Sequence, residues 1–283
     1  MARFFGLLIV AALLTGFVAC LPRGEQGSRQ ASEDARHETA RGETTNATER
    51  TNAPAPPKER IIGQDDTTAV TDAPASWDYV ALGDSLAVGV GAHRGYVARY
   101  AAYITADTGA RIDLVNLGRS GQTSSQLLYA LRNDPMIRHA LRTAEVITFN
   151  IGINDLGHAG EAYENGTCGG GDNQQCLGAT VETFRENWDA IVAELLSLRS
   201  TEDTVIRTAG LGYTPHVGKI FEPYVDEVNR HIATTATGHD VPYAQPYLDA
   251  GYMSSDGVHP NDAGYRVIAD RLRELGYSPL GSP

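Results

Sequence analysis

Lysine is scarce in this sequence, and basic residues as a whole are outnumbered by acidic ones. The chain has 283 residues with 35 acidic and 23 basic side chains, so its formal net charge is −12. Nearly all the basic residues are arginines, and they are scattered rather than gathered into a stripe interleaved with aromatic residues. Such a chain has no general attraction for phosphate backbones. We therefore expect no nucleic-acid partner.

A long apolar run occurs at the N-terminus, but it is short for a membrane span. Arg3 precedes an apolar run over residues 4–18, and the run is followed by Ala19 and Cys20. Crossing a bilayer comfortably takes roughly 20 apolar residues, which disfavours a permanent anchor. Residues 1–20 are therefore predicted to be an export signal.

The end of this segment resembles a bacterial lipoprotein processing site, in which Cys20 becomes the lipidated first residue of the mature chain. Such sites usually carry leucine where Phe17 stands. We favour lipidation at Cys20, which anchors an exported chain to a membrane. In the alternative, the chain is secreted after cleavage nearby, and Cys20 is an incidental apolar residue.

Residues 21–75 have the composition of an unstructured segment. They are rich in Glu, Arg, Thr, Ala, Asn and Pro and show no sustained apolar period, so we predict a disordered tether. Residues 76–283 remain for one folded domain, since a chain of this length buries a single sizeable core of roughly 200 residues. We expect this domain to act as a monomer.

Cysteine is rare, and apart from Cys20 it occurs only at Cys168 and Cys176, in a stretch rich in glycine and asparagine. Because an exported chain meets an oxidising compartment, we predict a disulfide between these two residues. Closing so short a loop stabilises a fold by about 2 to 3 kcal/mol on the entropic model. A metal site is the weaker alternative, because two thiols without histidine or cysteine partners at ligand spacing do not make a zinc site.

After residue 77, short apolar runs of β type alternate with longer segments of helical period. This alternation predicts an α/β domain, in which a parallel sheet is covered by helices. The predicted strands are residues 79–82, 112–116, 146–151, 204–208 and, more weakly, 241–243. The predicted helices are residues 94–108, 123–132, 181–198, 221–235 and 262–275. Functional groups of such domains gather at the carboxyl ends of the strands.

A serine follows the first predicted strand directly, in Gly83-Asp84-Ser85-Leu86. Taken alone, this tetrapeptide is ordinary turn chemistry, because serine and aspartate commonly cap helices. Asp84, like Asp155 after the third strand, is expected to orient its loop through backbone hydrogen bonds.

Near the C-terminus, Asp256 and His259 stand three residues apart on a predicted loop. A hydroxyl is a poor nucleophile at neutral pH, so it needs a base nearby, and the base needs a partner that fixes its tautomer. Ser85, His259 and Asp256 supply these three roles. A lone pair of this kind is more often a surface hydrogen bond or the entry to a helix, so the hypothesis depends on the combination.

These residues fall within four short blocks that resemble those of the GDSL or SGNH hydrolases, in the same order and over residues 77–275. Ser85 matches the nucleophile, and Asp256 and His259 match the other two members of the triad. Gly121 matches the glycine whose N–H faces the oxyanion, and Asn154 matches the asparagine whose side chain donates to it. The resemblance thus implies an oxyanion hole formed by Ser85, Gly121 and Asn154.

The resemblance also implies a three-layer α/β/α, flavodoxin-like fold with five parallel strands, and ester hydrolysis without a metal or an organic cofactor. The substrate is then a small-molecule, lipid or acylated-glycan ester, and we favour a serine esterase or lipase. Two alternatives stay open. One is a deacetylase of cell-wall or plant glycans with the same triad, and the other is a surface protein that binds carbohydrate or lipid without turnover. Residues 156–178 and 212–219, interpreted as loops, are expected to shape the acyl and alcohol pockets.

Overall fold

The structure is a computed structural model that describes residues 75–212 and 218–281. The predicted export signal with Cys20 and the predicted tether as far as residue 74 lie outside the described residues. Residues 213–217, which belong to one of the two predicted pocket loops, lie outside them as well.

Five strands form one parallel sheet, and this confirms the predicted fold class. The strands are β1 (Ser76–Gly83), β2 (Arg111–Asn116), β3 (Val146–Asn150), β4 (Val205–Ala209) and β5 (Tyr243–Ala244). Their order across the sheet is β2-β1-β3-β4-β5, and every neighbouring pair is parallel. All residues of β3 and β4 are buried, as expected for strands covered on both faces. The order reverses between β1 and β3, which is where ligands bind in doubly wound sheets.

Helices cover both faces of the sheet. They are α1 (Ser85–Val88), α2 (Tyr96–Thr108), α3 (Ser124–Asn133), α4 (Pro135–Thr143), α5 (Ile153–Glu164), α6 (Gln175–Leu198), α7 (Glu222–Gly238) and α8 (Asp262–Glu274). Strand β1 alternates between the two faces, because Tyr79 and Ala81 pack in the core with α2 and α8, whereas Val80 and Leu82 pack in the core with α3, α4, α6 and α7. No helix within the described ranges is both long enough and apolar enough to span a membrane.

Four helices differ from the sequence-based prediction. The four-residue helix α1 and the helix α4 were not predicted, although Asp134 caps α4 and Pro135 occupies its first turn. The prediction of a loop over residues 156–178 is wrong at both ends, because α5 extends to Glu164 and α6 begins at Gln175. Gly157 and Gly160 weaken the helical pattern of α5 in the sequence, because glycine lowers helix propensity. In the folded chain, the packing of neighbouring helices overrides that preference.

Cys168 and Cys176 connect the end of α5 to the first turn of α6. Their Cα atoms are 4.8 Å apart and their sulfur atoms lie at bonding distance. Cys168 is buried and packs with Ala159 of α5 and Leu177 of α6. The side chain of Asn173 supports this segment, because it accepts a hydrogen bond from the Cys168 N–H and donates one to the Tyr163 carbonyl. The pairing therefore fastens α5 to α6.

We predict that an unreduced digest of the purified protein contains a peptide pair linked through Cys168 and Cys176. Reduction of the folded protein should lower its free energy of unfolding by about 2 to 3 kcal/mol, because the unfolded chain regains the freedom of the opened loop. A double variant, Cys168→Ala with Cys176→Ala, is the control and should not respond to the reductant. Two free thiols in protein recovered from an oxidising compartment would contradict the prediction.

Candidate active site

Ser85 lies where strand β1 turns into α1. Gly83 ends the strand with a φ of +135°, and a Cβ there would lie 2.3 Å from the carbonyl oxygen of Asn150, so only glycine lets β1 and β3 approach so closely at this point. Asp84 then caps α1 by accepting a hydrogen bond from the Leu86 N–H at 2.9 Å. Ser85 is the first residue of α1, so its own N–H has no partner within the helix.

The structure brings the three residues predicted for the triad together. The Nε2 atom of His259 lies 2.9 Å from the Oγ atom of Ser85. The Nδ1 atom of the same ring lies 2.7 Å from Oδ2 of Asp256. Ser85 is 7% exposed, so most of the residue is shielded from solvent. The three side chains form one continuous path of hydrogen bonds.

Asp256 is held in its ionised form. Partial burial would raise the pKa of its carboxyl group, but hydrogen bonds from the His259 backbone and ring, the Ser254 hydroxyl and the Val258 N–H outweigh that effect and hold the pKa below its usual range. An ionised carboxylate only accepts hydrogen bonds, so Nδ1 of His259 carries the proton of this bond. The lone pair of Nε2 is then available to the Ser85 hydroxyl.

The loop that carries Asp256 and His259 is fixed by contacts at both ends. The Ser254 N–H donates to the His259 carbonyl at 2.8 Å, which closes the loop on itself. Asn261 caps α8 through its side-chain oxygen, and its amide nitrogen donates to the carbonyl groups of Gly251 and Met253. These bonds set the position of His259 before any substrate arrives.

The two residues predicted to complete the oxyanion hole lie in neighbouring segments. Asn154 is the second residue of α5, and its side-chain amide donates to the Gln122 carbonyl at 2.9 Å. Gly121 immediately precedes Gln122 and has a φ of +76°. Among the described residues, Asn154 lines the cavity beside Ser85 and Gly121 does not.

Two carboxyl groups, one buried and one half-buried, support these segments in the way the sequence predicted. Asp84 is fully buried, and burial raises its pKa to about 7, although the hydrogen bond from Leu86 opposes the shift. Burial also raises the pKa of Asp155, against hydrogen bonds from the backbone and hydroxyl of Ser124. Asp155 thus fastens the first turn of α5 to the start of α3.

A cavity of about 240 Å³ extends from Ser85 and His259 along α5. Its walls include Gly157 and Gly160 of α5 and Phe221 next to α7. The sequence pointed to residues 156–178 and 212–219 as the walls of the pockets, and residues of both stretches do line the cavity. The sequence did not show which side chains line the cavity, because the lining part of α5 was predicted to be a loop.

Known proteins resemble this chain over most of its described part. A model of the GDSL-like lipase/acylhydrolase family matches residues 81–267. The spore germination lipase LipC of Bacillus licheniformis is 30% identical over 213 residues, which are 71% of this chain and 97% of that protein. The uncharacterized protein YpmR of Bacillus subtilis is 27% identical over 217 residues, which are 68% of this chain and 78% of that protein.

Solved structures agree with this assignment. The lipase Lip_vut3 from a goat rumen metagenome superposes with a TM-score of 0.64 at 27% identity, over 72% of this chain and 100% of that chain. Axe2, an acetylxylan esterase from Geobacillus stearothermophilus, has a TM-score of 0.55 at 19% identity, over 72% of this chain and 95% of that chain, and shares the fold. The family match spans the segments that hold Ser85, Gly121, Asn154, Asp256 and His259. The chain is thus a carboxylic ester hydrolase and belongs to the GDSL-like lipase/acylhydrolase family.

Proposed function

We propose that this protein hydrolyses carboxylic esters through an acyl-enzyme formed on Ser85. The observation that carries the proposal is the continuous path of hydrogen bonds from the Ser85 hydroxyl through His259 to Asp256, with distances of 2.9 and 2.7 Å. Each group in the path has the chemistry that its role requires: a hydroxyl nucleophile, an imidazole base, and a carboxylate that orients the base.

In the first half of the reaction, the Ser85 oxygen attacks the ester carbonyl while Nε2 of His259 accepts the hydroxyl proton. The carbonyl oxygen becomes an oxyanion, and a new C–O bond joins the substrate to Ser85. The protonated His259 then donates its proton to the alcohol oxygen as the ester bond breaks. Asp256 stabilises the imidazolium that exists between these two proton transfers.

In the second half, a water molecule takes the place of the alcohol. His259 accepts a proton from this water as the water attacks the acyl group, and it returns the proton to Ser85 as the acid departs. The nucleophile is thereby restored, and both proton transfers pass through the same imidazole nitrogen.

The oxyanion is stabilised by three donors in this proposal, namely the N–H groups of Ser85 and Gly121 and the side-chain amide of Asn154. An amide nitrogen carries two hydrogens, and one of those of Asn154 is directed at the Gln122 carbonyl. The second is free to serve the oxyanion. The bond to Gln122 therefore orients the donor without consuming it, and it requires no reorganisation during the reaction.

We further propose that the enzyme is exported and is anchored to a membrane by a lipid on Cys20. Support comes from the apolar run over residues 4–18 and from the small residue Ala19 before Cys20. The pairing of Cys168 with Cys176 agrees with an oxidising compartment. Residues 21–75 then hold the catalytic domain away from the membrane surface.

We predict that Ser85→Ala lowers kcat for a nitrophenyl ester by at least about 10³-fold and leaves the melting temperature within a few degrees of that of the native protein, because the hydroxyl serves reactivity rather than packing. The matched control is Ser197→Ala, an exposed serine near the end of α6, which should retain full activity. Turnover that survives in Ser85→Ala would exclude Ser85 as the nucleophile.

We predict that Asn154→Ala lowers kcat by about 10²- to 10³-fold with little change in KM, because the amide acts on charge that develops only in the transition state. The melting temperature must be measured beside kcat, since loss of the bond to Gln122 also affects stability.

Asn187→Ala is the control for that structural effect. The Asn187 amide also fastens the start of α3, through bonds to the hydroxyl groups of Ser124 and Ser125, but Asn187 does not line the cavity. This variant should lose stability and keep kcat. An Asn154→Ala protein that melts earlier but has the native kcat would show that Asn154 is only structural.

A further inference from the structure

The cavity beside Ser85 is lined mainly by apolar groups. Its polar lining includes Ser85, Asn154 and His259 and two exposed carboxylates of α5, Glu161 and Glu164. The apolar groups are Leu156 of α5, Leu211 after β4, Phe221, Val225 of α7, Leu248 and Met253. All of these except Phe221 are buried in the core. Such a wall binds hydrocarbon and offers few partners to a sugar ring.

The lining face of α5 gives the cavity its direction. Ile153, Asn154, Gly157, Glu161 and Glu164 line it at intervals that place them on one face of the helix. The ten helical rises from Asn154 to Glu164 correspond to about 15 Å along the helix axis. The cavity thus runs from the reacting centre toward the exposed end of α5.

Two glycines lie in the interior of α5, where glycine disfavours a helix relative to alanine. Gly160 has a packing reason, because a Cβ there would lie 3.2 Å from Cε1 of Phe221. Gly157 has no such reason, because a Cβ there would meet no atom within 4 Å. Gly157 nevertheless lines the cavity. The lack of a side chain at Gly157 therefore leaves space in the cavity and does not serve the packing of a neighbouring residue.

We propose that this cavity holds the acyl chain of the ester, that it favours chains longer than acetyl, and that Gly157 keeps it open. The inference rests on the proposed function, because it places the acyl carbonyl between Ser85 and Asn154. The lining face of α5 extends about 15 Å from Asn154, so the cavity offers contacts to a chain of several carbons. An acetyl group leaves most of the apolar wall without contacts.

The test is kcat/KM for nitrophenyl acetate, butyrate, octanoate and palmitate. Burial of each additional methylene group improves binding by up to roughly fourfold, so octanoate should exceed acetate by at least about tenfold. In Gly157→Leu, the leucine side chain occupies the cavity. The value for octanoate should then fall at least tenfold, while that for acetate changes less than threefold.

Gly178→Leu is the matched control. Gly178 also lies in a helix, where a Cβ would meet no atom within 4 Å, but it does not line the cavity. This variant should retain the native preference for octanoate. Both substitutions replace glycine with a better helix former, so neither should lower the melting temperature.

Three outcomes would overturn the inference. A native enzyme that prefers acetate, or an equal loss on acetate and octanoate in Gly157→Leu, would show that the cavity does not select the acyl chain. The enzyme could instead prefer octyl acetate over ethyl acetate, lose that preference in Gly157→Leu, and have similar kcat/KM values for all the nitrophenyl esters. This result would assign the cavity to the alcohol. In each case esters are still hydrolysed and the proposed function stands. A native protein that hydrolyses none of these esters would overturn the proposed function as well.

Discussion

The hydrogen bond between Ser85 Oγ and His259 Nε2 joins two segments that are 174 residues apart in the chain, and the site depends on their relative position. Several contacts fix that position. The hydroxyl of Tyr265 on α8 donates to the Val90 carbonyl at 2.7 Å, in the loop that follows α1. A Cβ at Gly91 would lie 2.8 Å from Cβ of His259, so the lack of a side chain lets this loop pass against His259. The site is therefore held by the packing of α8 against that loop.

Asp262 reinforces the same contact from the first turn of α8. Its carboxylate accepts hydrogen bonds from the N–H groups of His93 and Arg94 and from the guanidinium of Arg99. These bonds, led by that from His93, hold the pKa of Asp262 below its usual range. A carboxylate at the N-terminus of a helix is also stabilised by the helix dipole. One side chain thus connects α8, the loop after α1 and the start of α2.

Polar groups are buried near Ser85, where strands β1 and β3 end. The Tyr96 hydroxyl donates to the side-chain oxygen of Asn150, and Asp84 lies fully buried in the adjoining turn. Burial of a carboxyl group costs stability unless it is paired or protonated. Burial raises the pKa of Asp84, because its charged form is disfavoured at this position, where β1 turns toward Ser85. The core beside the Ser85 hydroxyl therefore contains polar groups as well as apolar ones.

The sheet could be predicted from the sequence, because each strand is a short apolar run. The candidate site residues could be predicted only from the combination of four blocks that resemble a known family, since each of their turns taken alone is ordinary. The sequence did not predict α5, because Gly157 weakens the helical pattern and the helix depends on contacts with α6 that arise only in the folded chain. The cavity could not be predicted either, because its walls come from segments that are far apart in the sequence and meet only in the folded chain.

The central claim is that His259 activates Ser85, and covalent labelling with a fluorophosphonate tests it most directly. The probe reacts with a serine that a neighbouring base has activated. We expect one mass increment, located by peptide mapping on the peptide that contains Ser85, with labelling that is much slower in His259→Ala. An increment on another serine, or equal labelling rates in the two proteins, would contradict the account.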